Sequence, residues 1–378
     1  MISNALKTLL HPFEAGLLSM PAAGASVLFL GARPGFRVPE GFDAELALVQ
    51  GFRPDVLALQ REGFATSPEL QGESCDLALV LAGRHRGENE LRLAEAIARV
   101  KPDGLIVMAG DKTDGVASLR QRLEKNEDRM AAAIARQHRP SVTIVAADGT
   151  VESPSERLYN PVTTTVPLAG HLSKNHGVVF WLERTAEAEL FARQVKDWYA
   201  GWPLIDGRFE TAPGMFSHGR IDPGSKLLAE ALPASLSGKV ADFCAGWGYL
   251  SAELIARCKD VASVDLYEAD YQSLEAARRN LAGANIPVGF FWRDLIAEPV
   301  EGRYDAIVMN PPFHQGRAAE PGIGSKLIAV AAKALKSRGS LYLVANKGLP
   351  YERDLARVFS EYRQVASDKA FNIFIARR

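Results

Sequence analysis

The sequence predicts an α/β protein made of two tandem, helix-covered, doubly wound domains, residues 1–205 and 206–378. Three observations carry that prediction. Strand-sized apolar runs alternate with segments of helical periodicity through both halves, as a largely parallel sheet requires. The second half reads as a seven-stranded sheet whose first strand closes in a glycine-rich loop. The first half repeats the alternation with a poorer loop, and 378 residues suffice for two separate cores.

Composition narrows the classes. The longest apolar runs, such as 25–30 and 104–108, are far shorter than the roughly 18 residues that span a bilayer, and residues 1–7 lack a signal-peptide core. A cytoplasmic protein without a membrane partner is therefore expected. Cys75, Cys244 and Cys258 have no metal-ligand spacing, so no metal site and no disulfide framework is expected. A net charge of −1 argues against a general nucleic-acid-coating protein while leaving room for a local basic patch.

In the first half, strands are expected near 26–31, 54–59, 75–82, 104–110 and 141–147, with helices near 42–50, 88–101 and 114–136. The loop after the first strand, Gly31-Ala32-Arg33-Pro34-Gly35, places arginine and proline where backbone must approach a ligand. Asn160-Pro161 lacks a second proline and an aromatic. This half reads as a degenerate copy of the next, kept for structure or substrate docking. A strand at 178–182 and a helix over 183–199 precede the break at Gly201-Trp202-Pro203.

The second half opens with a glycine-rich loop, 213–225, and a helix through Leu227, Leu228, Ala231 and Leu232. Strand 239–243 then runs into Cys244-Ala245-Gly246-Trp247-Gly248, and a helix follows. Glycines permit the turn, and a helix N-terminus offers free N–H groups. The next strand, 261–267, leads to Glu268, twenty residues after Gly248, where this fold puts a carboxylate for ribose hydroxyls. Asp265 competes for that role but lies nearer the sheet. Strand 288–292 ends in Arg293-Asp294, a third carboxylate at a strand tip. After strand 304–309, helices are expected over 325–336 and 351–359, and strands over 340–345 and, antiparallel, 371–376.

The fourth of these strands ends in Asn310-Pro311-Pro312-Phe313. Two prolines bar both sheet pairing and helix entry, so the chain leaves in a stiff extended turn. The Asn310 amide oxygen and the Pro311 carbonyl are fixed acceptors, and Phe313 offers a flat face. Together they suit a planar group that carries an NH2. Glycine loop, two acids and Asn-Pro-Pro-Phe then meet at the carboxyl ends of four successive strands, in one crevice.

On these motifs residues 213–376 resemble class I S-adenosylmethionine-dependent methyltransferases, and Asn310-Pro311-Pro312-Phe313-His314 is similar to the catalytic motif of the bacterial ribosomal RNA guanine-N2 methyltransferases. Pro213-Gly214-Met215-Phe216-Ser217 and the degenerate first domain are similar to that family's small-subunit member. The resemblance implies two tandem Rossmann-like methyltransferase domains and S-adenosyl-L-methionine as cofactor. The cofactor would be held by Phe216, Ser217, Asp242, Cys244, Gly246, Gly248, Glu268, Asp294 and Asn310. Asn310, Pro311, Pro312 and Phe313 would form the catalytic corner, with ribosomal RNA or the small ribosomal subunit as partner and a monomer as the expected state. Cys244 departs from the usual first glycine, and Trp247 must point away from the ligand. Adenine-N6 and glutamine-N5 methyltransferases share these residues but usually carry tyrosine at the place of Phe313; an rRNA-binding assembly protein with a vestigial cofactor site is the non-enzyme alternative.

Overall fold

The computed structural model describes residues 3–72, 74–124, 144–145, 151–152, 162, 164–312, 314–315, 318–319 and 321–378. The chain forms two compact units, one of Met1–Pro203 with Ala212–Gly214, the other of Leu204–Thr211 with Met215–Arg378. Among the described residues no helix is long and apolar enough to cross a membrane.

The first unit contains β1 (Ser26–Leu30), β2 (Glu45–Val49), β3 (Thr66–Ser67), β4 (Cys75–Leu81) and β5 (Val100–Asp111). A short antiparallel ribbon follows, β6 (Ile144–Val145) with β7 (Val151–Glu152), and then β8 (Gly170–Lys174) and β9 (Gly177–Glu183). Its seven-stranded sheet runs in the order β3-β2-β1-β4-β5-β9-β8, with β9 antiparallel to both its neighbours. β1 is apolar from Val27 to Leu30 because both faces are covered. Val27 and Phe29 pack in one cluster with Leu6, Leu9 and Phe13 of helix Asn4–Glu14. Leu28 and Leu30 pack in another, with Leu93 and Ile97 of helix Arg86–Arg99 and Phe191 of helix Ala186–Ala200.

Two expectations exchange places here. Residues 42–50, expected as helix, carry strand β2, and 54–59, expected as strand, lie in helix Arg53–Arg61. Leu46 and Leu48 pack on one face of the sheet while Val49 packs on the other, so period two governs despite the helix-forming Ala47. In the helix, Pro54 occupies the first turn, and Val56 and Leu59, three apart, are its buried residues. The helix expected over 114–136 is seen as Val116–Glu124. Its remainder, most of the 141–147 strand and Asn160-Pro161 lie outside the described residues.

The second unit contains β10 (Ser237–Phe243), β11 (Asp260–Glu268), β12 (Val288–Trp292), β13 (Tyr304–Met309), a ribbon of β14 (His314–Gln315) with β15 (Ala318–Ala319), and then β16 (Leu335–Asn346), β17 (Glu361–Ser367) and β18 (Phe371–Arg377). The seven-stranded sheet runs β12-β11-β10-β13-β16-β18-β17, parallel up to β16 and antiparallel beyond. The expected seven-stranded α/β sheet is therefore present. β17, which the sequence did not reveal, is a largely exposed edge strand with too few buried apolar positions to signal itself. The strand order reverses about β10: the chain winds outward to β12, then returns to β13 on the other side. That reversal opens a crevice above the carboxyl ends of β10 and β13, where ligands bind in such sheets.

Candidate active site

β10 ends in Asp242 and Phe243, and alternation sends them to opposite faces. Phe243 joins the core with Met309 and Tyr351. Asp242 is fully buried on the other face, where its Oδ2 accepts a 2.7 Å hydrogen bond from Ser251 Oγ. Its Oδ1 is buried and has no hydrogen-bond partner among the described residues. Burial pushes this carboxyl up to about 7, with a further push from the negative charge of Glu268 and an opposing pull from Ser251.

The loop beyond β10 turns on three positive-φ residues, Cys244 at 61°, Gly246 at 55° and Gly248 at 89°. Left-handed backbone costs a side-chain-bearing residue about 1–2 kcal/mol, so Cys244 keeps the conformation of the glycine it replaces at some expense. Its side chain packs against the apolar cluster of Phe243 and Met309, and burial pushes the thiol well up. The departure from glycine therefore leaves the loop's path intact. A Cβ placed on Gly246 would meet nothing within 4 Å, so backbone there is open to a ligand. Gly248 differs: an added Cβ would lie 3.1 Å from the Cβ of Ala277. Its glycine serves close packing against helix Tyr271–Asn280, while it also caps helix Tyr249–Arg257 without a side-chain bond.

Glu268 ends β11 and braces this loop. Its Oε2 accepts from the Gly246 N–H at 2.7 Å, and its Oε1 from the Ala269 and Asp270 N–H groups at 2.8 and 2.9 Å. Burial outweighs those bonds and pushes its carboxyl up to about 7. Asp265, the competitor, is spent lower in the sheet on Tyr304 and Lys239, each at 2.8 Å. Asp294 stands just past β12, whose Trp292 pairs with Glu268. Its Oδ1 accepts from the Ile296 N–H at 2.9 Å, capping a turn.

Trp247 is among the residues that line the cleft, and its indole is held on one side by the segment before it. Its ring packs on Phe209 at 5.2 Å between centroids, and its Nε1 donates to the Phe216 carbonyl at 2.9 Å. The indole thus fastens the loop before helix Pro223–Ala231. In that loop Ser217 has φ 53° and donates to the Arg220 carbonyl at 2.8 Å, and the Phe216 ring remains 54% exposed.

At the tip of β13, Asn310 is held by the same segment. Its Nδ2 donates to Asp222 Oδ2 at 3.1 Å and to Ser225 Oγ at 2.8 Å, and no donor among the described residues reaches its Oδ1. Pro311 is buried and Pro312 half-buried, while Phe313 lies outside the described residues. Asp222 is also the N-cap of helix Pro223–Ala231, accepting from the Ser225 N–H at 2.8 Å. Sequence reading missed Asp222, Ser225 and Ser251; Asp222-Pro223 followed by Ser225 was a visible helix-start signal, though nothing in it pointed to Asn310.

A cleft of about 390 Å³, open to solvent, collects these parts. Its walls include Phe216, Ser217, Cys244, Gly246 and Asn310 of the predicted set, together with Asp222 and Ser225. Asp242, Gly248, Glu268 and Asp294 of the predicted set are not among its lining; Asp242 is buried in β10, Gly248 packs against helix Tyr271–Asn280, and Glu268 and Asp294 stand at the ends of β11 and β12.

Residues 206–375 match the family model of the methyltransferase small domain. A ribosomal RNA small subunit methyltransferase C from Chromohalobacter salexigens is 42% identical over 184 residues, covering 47% of this chain and 54% of that protein. One of the same name from Salmonella paratyphi B is 33% identical over 180 residues, covering 48% and 52%. The chain thus spans about half the length of the curated relatives it matches. The solved 16S rRNA N2 G1207 methyltransferase of T. thermophilus, in complex with AdoMet and guanosine, superposes with TM-score 0.69 at 22% identity over 100% of this chain and 92% of that one. That likeness, extending through both halves, fits tandem Rossmann-like domains. Residues 206–375 of this chain are thus similar to the methyltransferase small domain.

Proposed function

We propose that the protein is an S-adenosylmethionine-dependent methyltransferase acting on the exocyclic N2 amino group of a guanine in small-subunit ribosomal RNA. The observation that carries this reading is the Asn310 amide oxygen, which meets no donor among the described residues, at the strand reversal beside the open glycine loop. The names of the relatives, which cover half of their own length here, support the choice of rRNA as substrate.

The residues present fit such a cofactor. The unpartnered Asp242 Oδ1 suits an ammonium donor, Glu268 has lone pairs left for ribose hydroxyls, and the Oδ2 of Asp294 suits an amino group. Bound there, S-adenosylmethionine supplies a methyl group on a positively charged sulfur. Phe216, Ser217, Cys244 and Gly246 wall the methionine end, and Gly248 holds the turn that lets them do so.

An exocyclic amino nitrogen is a poor nucleophile because its lone pair is delocalised into the ring. Asn310 Oδ1 and the Pro311 carbonyl accept its two hydrogens and turn the pair out of that plane. Phe313 supports the base. With its pair so freed by Asn310 and Pro311, the nitrogen would accept the methyl group that a bound S-adenosylmethionine supplies, and its surplus proton would leave to solvent. Positioning supplies much of the acceleration, on the order of 7–11 kcal/mol for well-oriented reactants. The first domain, a degenerate copy, serves structure or RNA docking. Incubation with methyl-labelled cofactor and 16S rRNA, small subunits, DNA or release factor tests the reading, with label expected as N2-methylguanine in the RNA; label found only in protein or DNA overturns it.

A further inference from the structure

We infer that Asp222 and Ser225 are positioning residues that fix which atom of Asn310 faces the substrate, and so restrict the acceptor to a group that donates hydrogen bonds. The inference rests on the reading just given and adds two residues to it. An asparagine amide has an accepting and a donating end of nearly equal size, and the wrong end would present N–H groups to an amino group that needs acceptors.

The structure removes that ambiguity chemically. Both Nδ2 hydrogens have acceptors, Asp222 Oδ2 at 3.1 Å and Ser225 Oγ at 2.8 Å. A flipped Asn310 would set its oxygen against Asp222 Oδ2, whereas the Ser225 hydroxyl, which can accept or donate, reinforces the choice that Asp222 makes. Asp222 is itself held by its N-cap bond to the Ser225 N–H, and Ser225 is 7% exposed, so neither acceptor can swing away freely. Donation to a carboxylate also draws negative charge onto Oδ1, which strengthens it as an acceptor. A helix start thereby orients a residue 85 positions away.

Ser225→Ala removes one acceptor and Ser225→Thr retains it; Asp222→Ser keeps an N-capping hydroxyl on a shorter side chain. In wild-type protein carrying nitrogen-15, the Asn310 side-chain amide, assigned by its loss in Asn310→Ala, is expected to show slowed hydrogen exchange. Exchange should accelerate at least tenfold in Ser225→Ala and be restored in Ser225→Thr. In turnover, Ser225→Ala and Asp222→Ser are each expected to lower kcat about 10- to 100-fold with cofactor Kd and Tm nearly unchanged. Neither should lower kcat further in an Asn310→Ala background, because residues that act through one group are not additive. Multiplicative losses in that background, or an Asn310 amide that exchanges equally fast with and without Ser225, overturn the inference. Should Asn310→Ala retain full turnover, the proposed function itself fails, whatever the exchange data show.

Discussion

The molecule holds two sheets of one strand order, β3-β2-β1-β4-β5-β9-β8 and β12-β11-β10-β13-β16-β18-β17, yet their carboxyl ends have opposite fates. In the second, a cleft lined by Gly246 and Asn310 opens at the reversal point, and Asp242, two residues before Cys244 of its lining, is buried with an Oδ1 that has no partner among the described residues. In the first, a guanidinium stands there: Arg92 donates to the Leu81 carbonyl at 2.8 Å, and a Cβ on Gly31 would come within 2.7 Å of it. The second-strand residues run in parallel. Glu268 braces the loop after β10 as a carboxylate accepting N–H groups, while Gln50, just past β2, donates to the Ala32 carbonyl at 2.7 Å. The asparagines diverge in the same sense. Asn89 uses all its polar atoms on Gly83 and Asp114, whereas the Asn310 Oδ1 meets no donor among the described residues. A shared topology therefore sets where a site can be, while in the first unit these polar groups are already satisfied by one another.

The sharpest test of the contrast exchanges the two asparagines for alanine. Asn310→Ala is expected to lower turnover about 10²–10³-fold, the usual loss of a transition-state hydrogen-bond partner, with cofactor affinity nearly unchanged. Asn89→Ala is expected instead to cost roughly 2–4 kcal/mol of stability, because three buried backbone groups lose their partner. Steady-state kinetics and urea unfolding on both variants read the two outcomes; equal loss of turnover would break the comparison.

Next in size, Glu268→Ala should weaken cofactor binding about 10–100-fold by calorimetry, the worth of hydrogen bonds to a charged group. Gln50→Ala should leave that affinity unchanged. A pH series distinguishes the sheets as well. Burial raises the Asp242 and Glu268 carboxyls to about 7, so folding takes up protons between about 4 and 7. Their contribution to the stability of the ligand-free protein is complete below the ordinary carboxylate range and is lost as pH rises through about 7. Asp242→Asn should flatten that slope. A ligand that carries an ammonium group should bind more tightly from pH 6 to 8, by up to about tenfold per unit for one carboxylate. The smallest effect is expected from Arg92→Ala, about 1 kcal/mol of stability for the bond to Leu81, without any cofactor binding by the first unit.

Much of this was legible because it is local. Apolar runs of strand length, the Asn310-Pro311-Pro312 corner and the spacing of Glu268 from Gly248 are properties of neighbouring residues. The exchange of helix and strand over 42–61 shows the limit: Ala47 and Leu48 favour a helix in isolation, and only pairing with β1 and the burial of Leu48 make β2. Trp247 needed Phe209 and the Phe216 carbonyl to say which way it points. Gly248 needed Ala277 to show that its missing side chain serves packing.

By itself the sequence determined the order of the elements and the residues at each strand tip, since periodicity and proline or glycine stereochemistry act within a few residues. The tertiary structure alone decided which polar atoms are spent and which are left over. Asp222 and Ser225 reach Asn310 across 88 and 85 positions, and a hydrogen bond's direction, unlike its donor, is not written in the chain.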